Sequence, residues 1–194
     1  MSAAPAKGPI FVLTGGPCAG KTTLIEELAR RGWPVIPEAA REVILEEKLN
    51  PGRDILEFQR EVLRRQVRAE AARGSGPVFS DRGIGDHFGY LAHHLAARGF
   101  EVPAEFAEEL ERAWAEALVR YRAVFVLEQA PRFSRVSYRR EDAAEARAIH
   151  AALEAAYRSR HPLVISVPWG PLGERADRVL ALIPGGPSPG AARS

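Results

Sequence analysis

Short apolar runs alternate along the chain with longer stretches of helical periodicity. Ile10–Thr14 is continuously apolar up to its closing threonine, the pattern of a strand buried on both faces. Similar runs recur at Trp33–Pro37, Pro77–Asp81, Ala123–Leu127 and Leu163–Val167. Two prolines limit the second of these, because proline cannot donate to a sheet ladder. Between the runs, apolar positions at helical spacing predict helices over Lys21–Arg31, Ala39–Leu49, Ile55–Arg73, Asp86–Arg98, Pro103–Arg120, Glu141–Arg160 and Glu174–Leu182. Gly32 stops the first helix, and Asn50-Pro51-Gly52 makes a turn before the third. Strands separated by helices call for right-handed crossovers. The prediction is an α/β three-layer sandwich: a five-stranded parallel sheet with helices on both faces. Ligands of such folds bind outside the carboxyl ends of the strands.

Residues 1–8 and 184–194 are rich in Pro, Gly, Ala and Ser, too poor in apolar surface to offset the entropy of ordering. A flexible N-terminus and a disordered tail are expected there, leaving residues 9–183 as one domain. The 194 residues, 46% hydrophobic and 27% charged, suffice for a core without disulfides or structural metal. A formal net charge of +2, from 27 basic and 25 acidic side chains, carries no electrostatic footprint for nucleic acid. The single cysteine excludes an internal disulfide and a Cys-rich zinc site, which fits a reducing compartment. No apolar run reaches the length of a membrane span, and no signal-peptide region opens the chain. A soluble, cytoplasmic protein is expected.

The strongest chemical signal follows the first strand. Gly15-Gly16-Pro17-Cys18-Ala19-Gly20-Lys21-Thr22 fits G-x-x-x-x-G-K-[ST], with Thr23 next, and it joins a strand to a helix as a phosphate-binding loop requires. Its glycines let successive backbone N–H groups turn inward as an anion nest, and the helix N-terminus adds positive potential. Lys21 is the expected partner of the β- and γ-phosphates of ATP, with GTP as the alternative, and the Thr22 hydroxyl is the expected Mg²⁺ ligand. Cys18 lies where a thiolate would be stabilised, although any small residue fits that position.

Acids stand at the other strand ends. Asp81 closes the third strand and could hold Mg²⁺ opposite Thr22; Glu128, after the fourth, is the rival acid. Arg82 could meet phosphate charge, or the Asp81-Arg82 pair could be a strand-end salt bridge. Glu38, after the second strand and one turn before Arg41, is a candidate general base toward a substrate hydroxyl, or alternatively a cap of the following helix. Arg132, Arg135, Arg139 and Arg140 lie between the fourth strand and the next helix, with Arg135 and Arg139 the candidates for neutralising phosphoryl charge. His87, His93 and His94 sit on one predicted helix with no acid to complete a ligand set, so packing explains them. Trp169, after the fifth strand, is either core or a shelf for the nucleotide base.

The stretches Gly15-Gly-Pro-Cys-Ala-Gly-Lys-Thr-Thr-Leu, Pro37-Glu-Ala-Ala-Arg-Glu-Val, Phe79-Ser-Asp-Arg-Gly-Ile-Gly-Asp and Arg139-Arg-Glu-Asp, with Ile149-His150 and Tyr157, carry a resemblance. Together they resemble the small AAA-labelled P-loop domains grouped with nicotinamide riboside kinase and the TRPL-translocation-defect proteins. The resemblance spans about residues 8 to 183 and implies a kinase-like P-loop NTPase fold with a short arginine-bearing lid, a nucleotide and Mg²⁺. One departure is local: Val136-Ser137-Tyr138 stands where the family often has an acid before the arginines. The leading expectation is phosphoryl transfer from ATP to a small hydroxyl-bearing, nucleoside-like acceptor. An ATPase or GTPase without a dedicated acceptor and a nucleotide-dependent regulatory module are the alternatives.

Overall fold

Alternation along one strand sets the layers. In β1 (Ile10–Thr14), Ile10 and Val12 enter one apolar cluster while Phe11 and Leu13 enter another on the opposite face. A strand apolar on both sides needs helices on both sides. The computed structural model describes residues 6–131 and 142–183, and supplies them. Residues 1–5 and 184–194 lie outside the described residues, as do residues 132–141 with Arg132, Arg135, Arg139 and Arg140.

The elements follow in order: α1 (Lys21–Arg30), β2 (Val35–Ile36), α2 (Ala39–Glu46), α3 (Ile55–Ala72), β3 (Val78–Asp81), α4 (Gly85–Arg98), α5 (Ala104–Arg120), β4 (Tyr121–Leu127), α6 (Ala143–Arg158), β5 (Val164–Val167) and α7 (Leu172–Leu180). The five strands form one sheet in the order β2-β3-β1-β4-β5, and every pairing is parallel. Leu24, Leu28, Ala176 and Val179 of α1 and α7 pack with Phe11, Phe79 and Phe125 on one face. Leu63, Leu91, Trp114 and Tyr157 from α3 to α6 pack with Ile10, Val12 and Val124 on the other. Phe79 and Phe125 are wholly buried, and truncating such a ring to alanine typically costs about 3–5 kcal/mol.

Boundaries differ from the sequence expectation where prolines or direct junctions intervene. β2 shrinks from Trp33–Pro37 to Val35–Ile36, because Pro34 and Pro37 flank an edge strand that pairs with β3 through two residues. Pro103 sits just before α5 as its N-cap rather than within its first turn, and α7 starts at Leu172, after the N-cap Pro171, rather than at Glu174. α5 runs directly into β4, which begins at Tyr121 rather than Ala123. The central position of β1, between β3 and β4, brings its C-terminal loop to the crevice where strand order reverses.

Candidate active site

The loop leaving β1 reaches α1 through Gly20, the N-cap residue, at φ 75°. That left-handed conformation favours glycine, and a Cβ there would stand 2.9 Å from Arg175 Nη1. With no side-chain cap and no acid in its first turn, α1 keeps the positive end of its dipole unneutralised. Lys21 folds back over the loop. Its Nζ donates to the carbonyls of Gly15 at 2.7 Å and Gly16 at 2.9 Å, and the residue is buried. An ammonium has three protons, so two carbonyls leave one to give. Burial and the neighbouring Arg82 guanidinium push its pKa down to about 7, against the pull of Glu38, Asp81 and Asp86. Such a group favours an anion beside it. Thr22 is half-buried and Thr23 exposed at the start of the helix.

Asp81 lies in register with Leu13, so β3 delivers its carboxylate beside the loop. The residue is only 4% exposed, and its Oδ1 has no hydrogen-bond partner among the described residues. Burial and the Glu38 carboxylate raise its pKa to about 6. Glu128 instead accepts from the Trp169 backbone N–H at 3.3 Å, and the carboxylates felt by Lys21 are Glu38, Asp81 and Asp86.

Arg82 turns sharply after the strand. It has φ 72°, unusual for a side-chain-bearing residue, while its N–H donates to Leu13 O at 2.9 Å. The guanidinium then forks: Nε donates to Glu38 Oε1 at 2.6 Å and Nη1 to Asp86 Oδ1 at 2.8 Å. Glu38 occupies the N-cap position of α2, yet its side chain makes no capping bond and pairs with Arg82 instead. Arg41 is exposed.

Asp86 escaped the sequence reading as a functional residue, although it closed the quoted Asp81-Arg-Gly-Ile-Gly-Asp stretch. Its buried carboxylate collects four donors. Thr14 Oγ1 and Arg82 Nη1 reach Oδ1, each at 2.8 Å; the Gly83 N–H and Tyr157 hydroxyl reach Oδ2 at 3.1 and 2.7 Å. Strands β1 and β3 and helices α4 and α6 thus meet on one carboxylate.

Beyond α1, Trp169 is 43% exposed with Arg175 stacked 5.1 Å from its ring centroid. Arg175 Nη2 donates to Ala19 O at 3.0 Å, so α7 supports the loop from that side. The histidines do pack: His87 is buried against Gln59 Oε1 at 2.5 Å, and burial lowers His87 and His94 to about 4. Cys18 takes φ 61° within the loop and is half-buried. Among the described residues, no three His, Cys, Asp or Glu side chains cluster as a metal site, and no helix is long and apolar enough to cross a membrane.

A family profile described as an AAA domain matches residues 10–175. The chain belongs to this AAA-domain family. No curated protein was found to match the sequence. Among solved structures, the AAA-domain chain is similar to NadR protein in complex with NR, at TM-score 0.66 and 19% identity over 82% of this chain and 45% of that one. It is also similar to NadR in complex with NAD and AMP-PNP, at TM-score 0.64 and 19% identity over 90% of this chain and 49% of the other. This chain therefore spans about half the length of the NadR chains. A deoxyadenosine kinase from M. mycoides, with products dCMP and dCDP, matches at TM-score 0.65 and 11% identity, covering 89% of this chain and 96% of that one. These likenesses establish a P-loop kinase-like fold.

Proposed function

We propose that this AAA-domain protein transfers the γ-phosphoryl group of ATP to a hydroxyl of a small, nucleoside-like metabolite. The observation that carries the reading is the meeting of Lys21, Asp81 and Glu38, from the ends of three adjacent strands, in one electrostatically linked cluster. The neighbours crystallised with NR and with nucleotides support an acceptor of that class.

Thr22 and Asp81 would hold Mg²⁺, and the unpartnered buried oxygen of Asp81 fits a cation. When bound, the ion supplies electrostatic neutralisation of the charge developing on the phosphoryl oxygens. The third N–H of the Lys21 ammonium would donate a hydrogen bond to a phosphate oxygen, and the α1 N-terminus adds backbone donors. Glu38, oriented by Arg82, accepts the proton of the attacking hydroxyl as the new O–P bond forms and ADP leaves. Trp169 and Arg175 offer a flat surface for the base beside Gly20.

Incubation with γ-labelled ATP, Mg²⁺ and a pooled set of nucleosides, sugars and cofactors tests the proposal. Label appearing on an acceptor supports it. Label released as free phosphate at the same rate with and without the pool marks a hydrolase and overturns it.

A further inference from the structure

Gly16 is gripped at both ends. Its N–H donates to His150 Nδ1 on α6 at 3.2 Å, and its carbonyl accepts from Lys21 Nζ at 2.9 Å. The next carbonyl, of Pro17, accepts from Gln129 Nε2 at 2.9 Å, and the same nitrogen donates to Ala146 O at 3.0 Å. Ala146 and His150 lie one turn apart on α6, so that helix holds two successive residues of the loop. The approach is close: a Cβ on Gly16 would stand 2.7 Å from His150 Cβ and 2.9 Å from Ala146 O. Proline 17 has no N–H, so within this stretch the Gly16 amide is the donor a neighbouring helix can hold.

We propose that His150 is a positioning residue: its Nδ1, by fixing the Gly15–Gly16 peptide, sets where the Lys21 ammonium rests and so tunes triphosphate binding. Accepting from an N–H requires Nδ1 without a proton, hence the neutral ring with its proton on Nε2. Glu154 Oε2, 3.9 Å from Nε2 and one turn further along α6, favours that tautomer. Burial lowers the His150 pKa, as does Lys21 on α1, while Glu154 and Glu128 oppose the shift; the net direction keeps the ring neutral. The tie is more than a packing contact, because the carbonyl of that same peptide unit, Gly15 O, carries one of the two hydrogen bonds to Lys21, at 2.7 Å. Released from His150, the Gly15–Gly16 peptide can rotate and Lys21 loses a fixed seat on Gly15 O. Misplacement of a positioned group by about 1 Å is already costly.

This inference rests on the triphosphate site of the proposed function and not on the identity of the acceptor. Its test is titration calorimetry with Mg²⁺–ATP on four folded proteins: the natural chain, His150→Ala, His150→Asn and His150→Gln. Asparagine carries an acceptor oxygen at the position of Nδ1, whereas glutamine reaches one methylene further, to the position of Nε2. The expected result is a loss of about tenfold in affinity for His150→Ala and His150→Gln, the worth of one hydrogen bond, with His150→Asn within about twofold of the natural chain. The Gly16 amide resonance, read without nucleotide, should shift in His150→Ala and return toward its natural position in His150→Asn. Equal affinities across all four proteins, or an asparagine variant as weak as the alanine one, would overturn the inference while leaving the functional reading intact. A natural chain that binds no triphosphate would overturn the reading itself, and the inference with it.

Discussion

Arg82 and Glu38 link the ends of the third and second strands at the site, Nε to Oε1 at 2.6 Å. The contact crosses from the residue after β3 to the second residue after β2, where the sheet itself pairs through two residues of β2. Arg82 reaches it by taking φ 72°, a conformation that costs on the order of 1 kcal/mol for a residue with a Cβ. Its guanidinium is thereby committed to two carboxylates, Glu38 and Asp86. In the proposed reaction Arg82 therefore acts by holding the base in place, and Lys21 meets the phosphates.

Asp81→Asn separates metal chemistry from nucleotide affinity. If Asp81 acts through Mg²⁺, the variant should lose about 10²–10³-fold in turnover while ATP affinity changes little. Stability should move the other way. The folded carboxyl titrates at about 6 against an ordinary 3.8, so the folded state holds this proton more tightly than the unfolded one. Natural-chain stability without Mg²⁺ is therefore lost as pH rises from 4 through 6. The asparagine variant lacks that loss and should be about 1–3 kcal/mol more stable at pH 8, converging with the natural chain near pH 4. Denaturant melts at the two pH values check this, and a turnover loss confined to Glu128→Gln would reassign the metal acid.

Lys21→Met keeps the length and apolar stem of the side chain and removes its charge. The ammonium is disfavoured at this position, since burial and Arg82 hold its pKa near 7. The variant should therefore melt at or above the natural temperature at pH 7. Triphosphate affinity should nevertheless fall about 10–100-fold, the worth of a charged hydrogen bond. Calorimetry decides it, and unchanged affinity would remove the phosphate-loop assignment.

Much of this was legible in the residues. Ile10–Thr14 announced a buried strand because both faces are apolar, and Gly15 to Thr22 announced a phosphate loop because its spacing is local. Asp81, Arg82 and Glu38 could be placed at strand ends for the same reason: a parallel sheet aligns those ends. The partnerships were not legible. That Arg82 forks between Glu38 and Asp86 depends on a positive φ and on α4 docking over β1. His150 and Tyr157 stood in the quoted motifs, but their partners, Gly16 and Asp86, lie 134 and 71 residues away. Spacing along a chain shows which face a helix buries, and it does not show what that face meets.

Asp86 and Tyr157 offer a graded test of the buried hub. Tyr157→Phe removes one donor and leaves Asp86 three others, so a loss of about 0.5–1.5 kcal/mol is expected. Asp86→Ala strands the Thr14 hydroxyl, the Tyr157 hydroxyl, the Gly83 amide and one arm of Arg82 together. Its cost should reach about 3–5 kcal/mol, because several buried donors lose their acceptor at once, even though Arg82 keeps Glu38. Equal losses in the two variants, read from denaturant midpoints, would show that the carboxylate is not the common anchor.

Glu38→Gln distinguishes three roles for one carboxylate. Glutamine keeps the shape and can still accept from Arg82, so the fold should survive with a change in stability near 1 kcal/mol. As the base toward an acceptor hydroxyl, Glu38 contributes about 10²–10⁴-fold, and acceptor-dependent transfer should fall by that factor. Slow phosphate release without acceptor should stay within about twofold, because the loop, Lys21 and Asp81 are untouched. A hydrolase using Glu38 to orient water would instead lose its acceptor-free release. A purely structural Glu38 would lower the melting temperature and leave both rates standing. Basal release, acceptor-stimulated turnover and melting temperature on this one variant separate the cases, and an unchanged stimulated rate would strip Glu38 of its role as base.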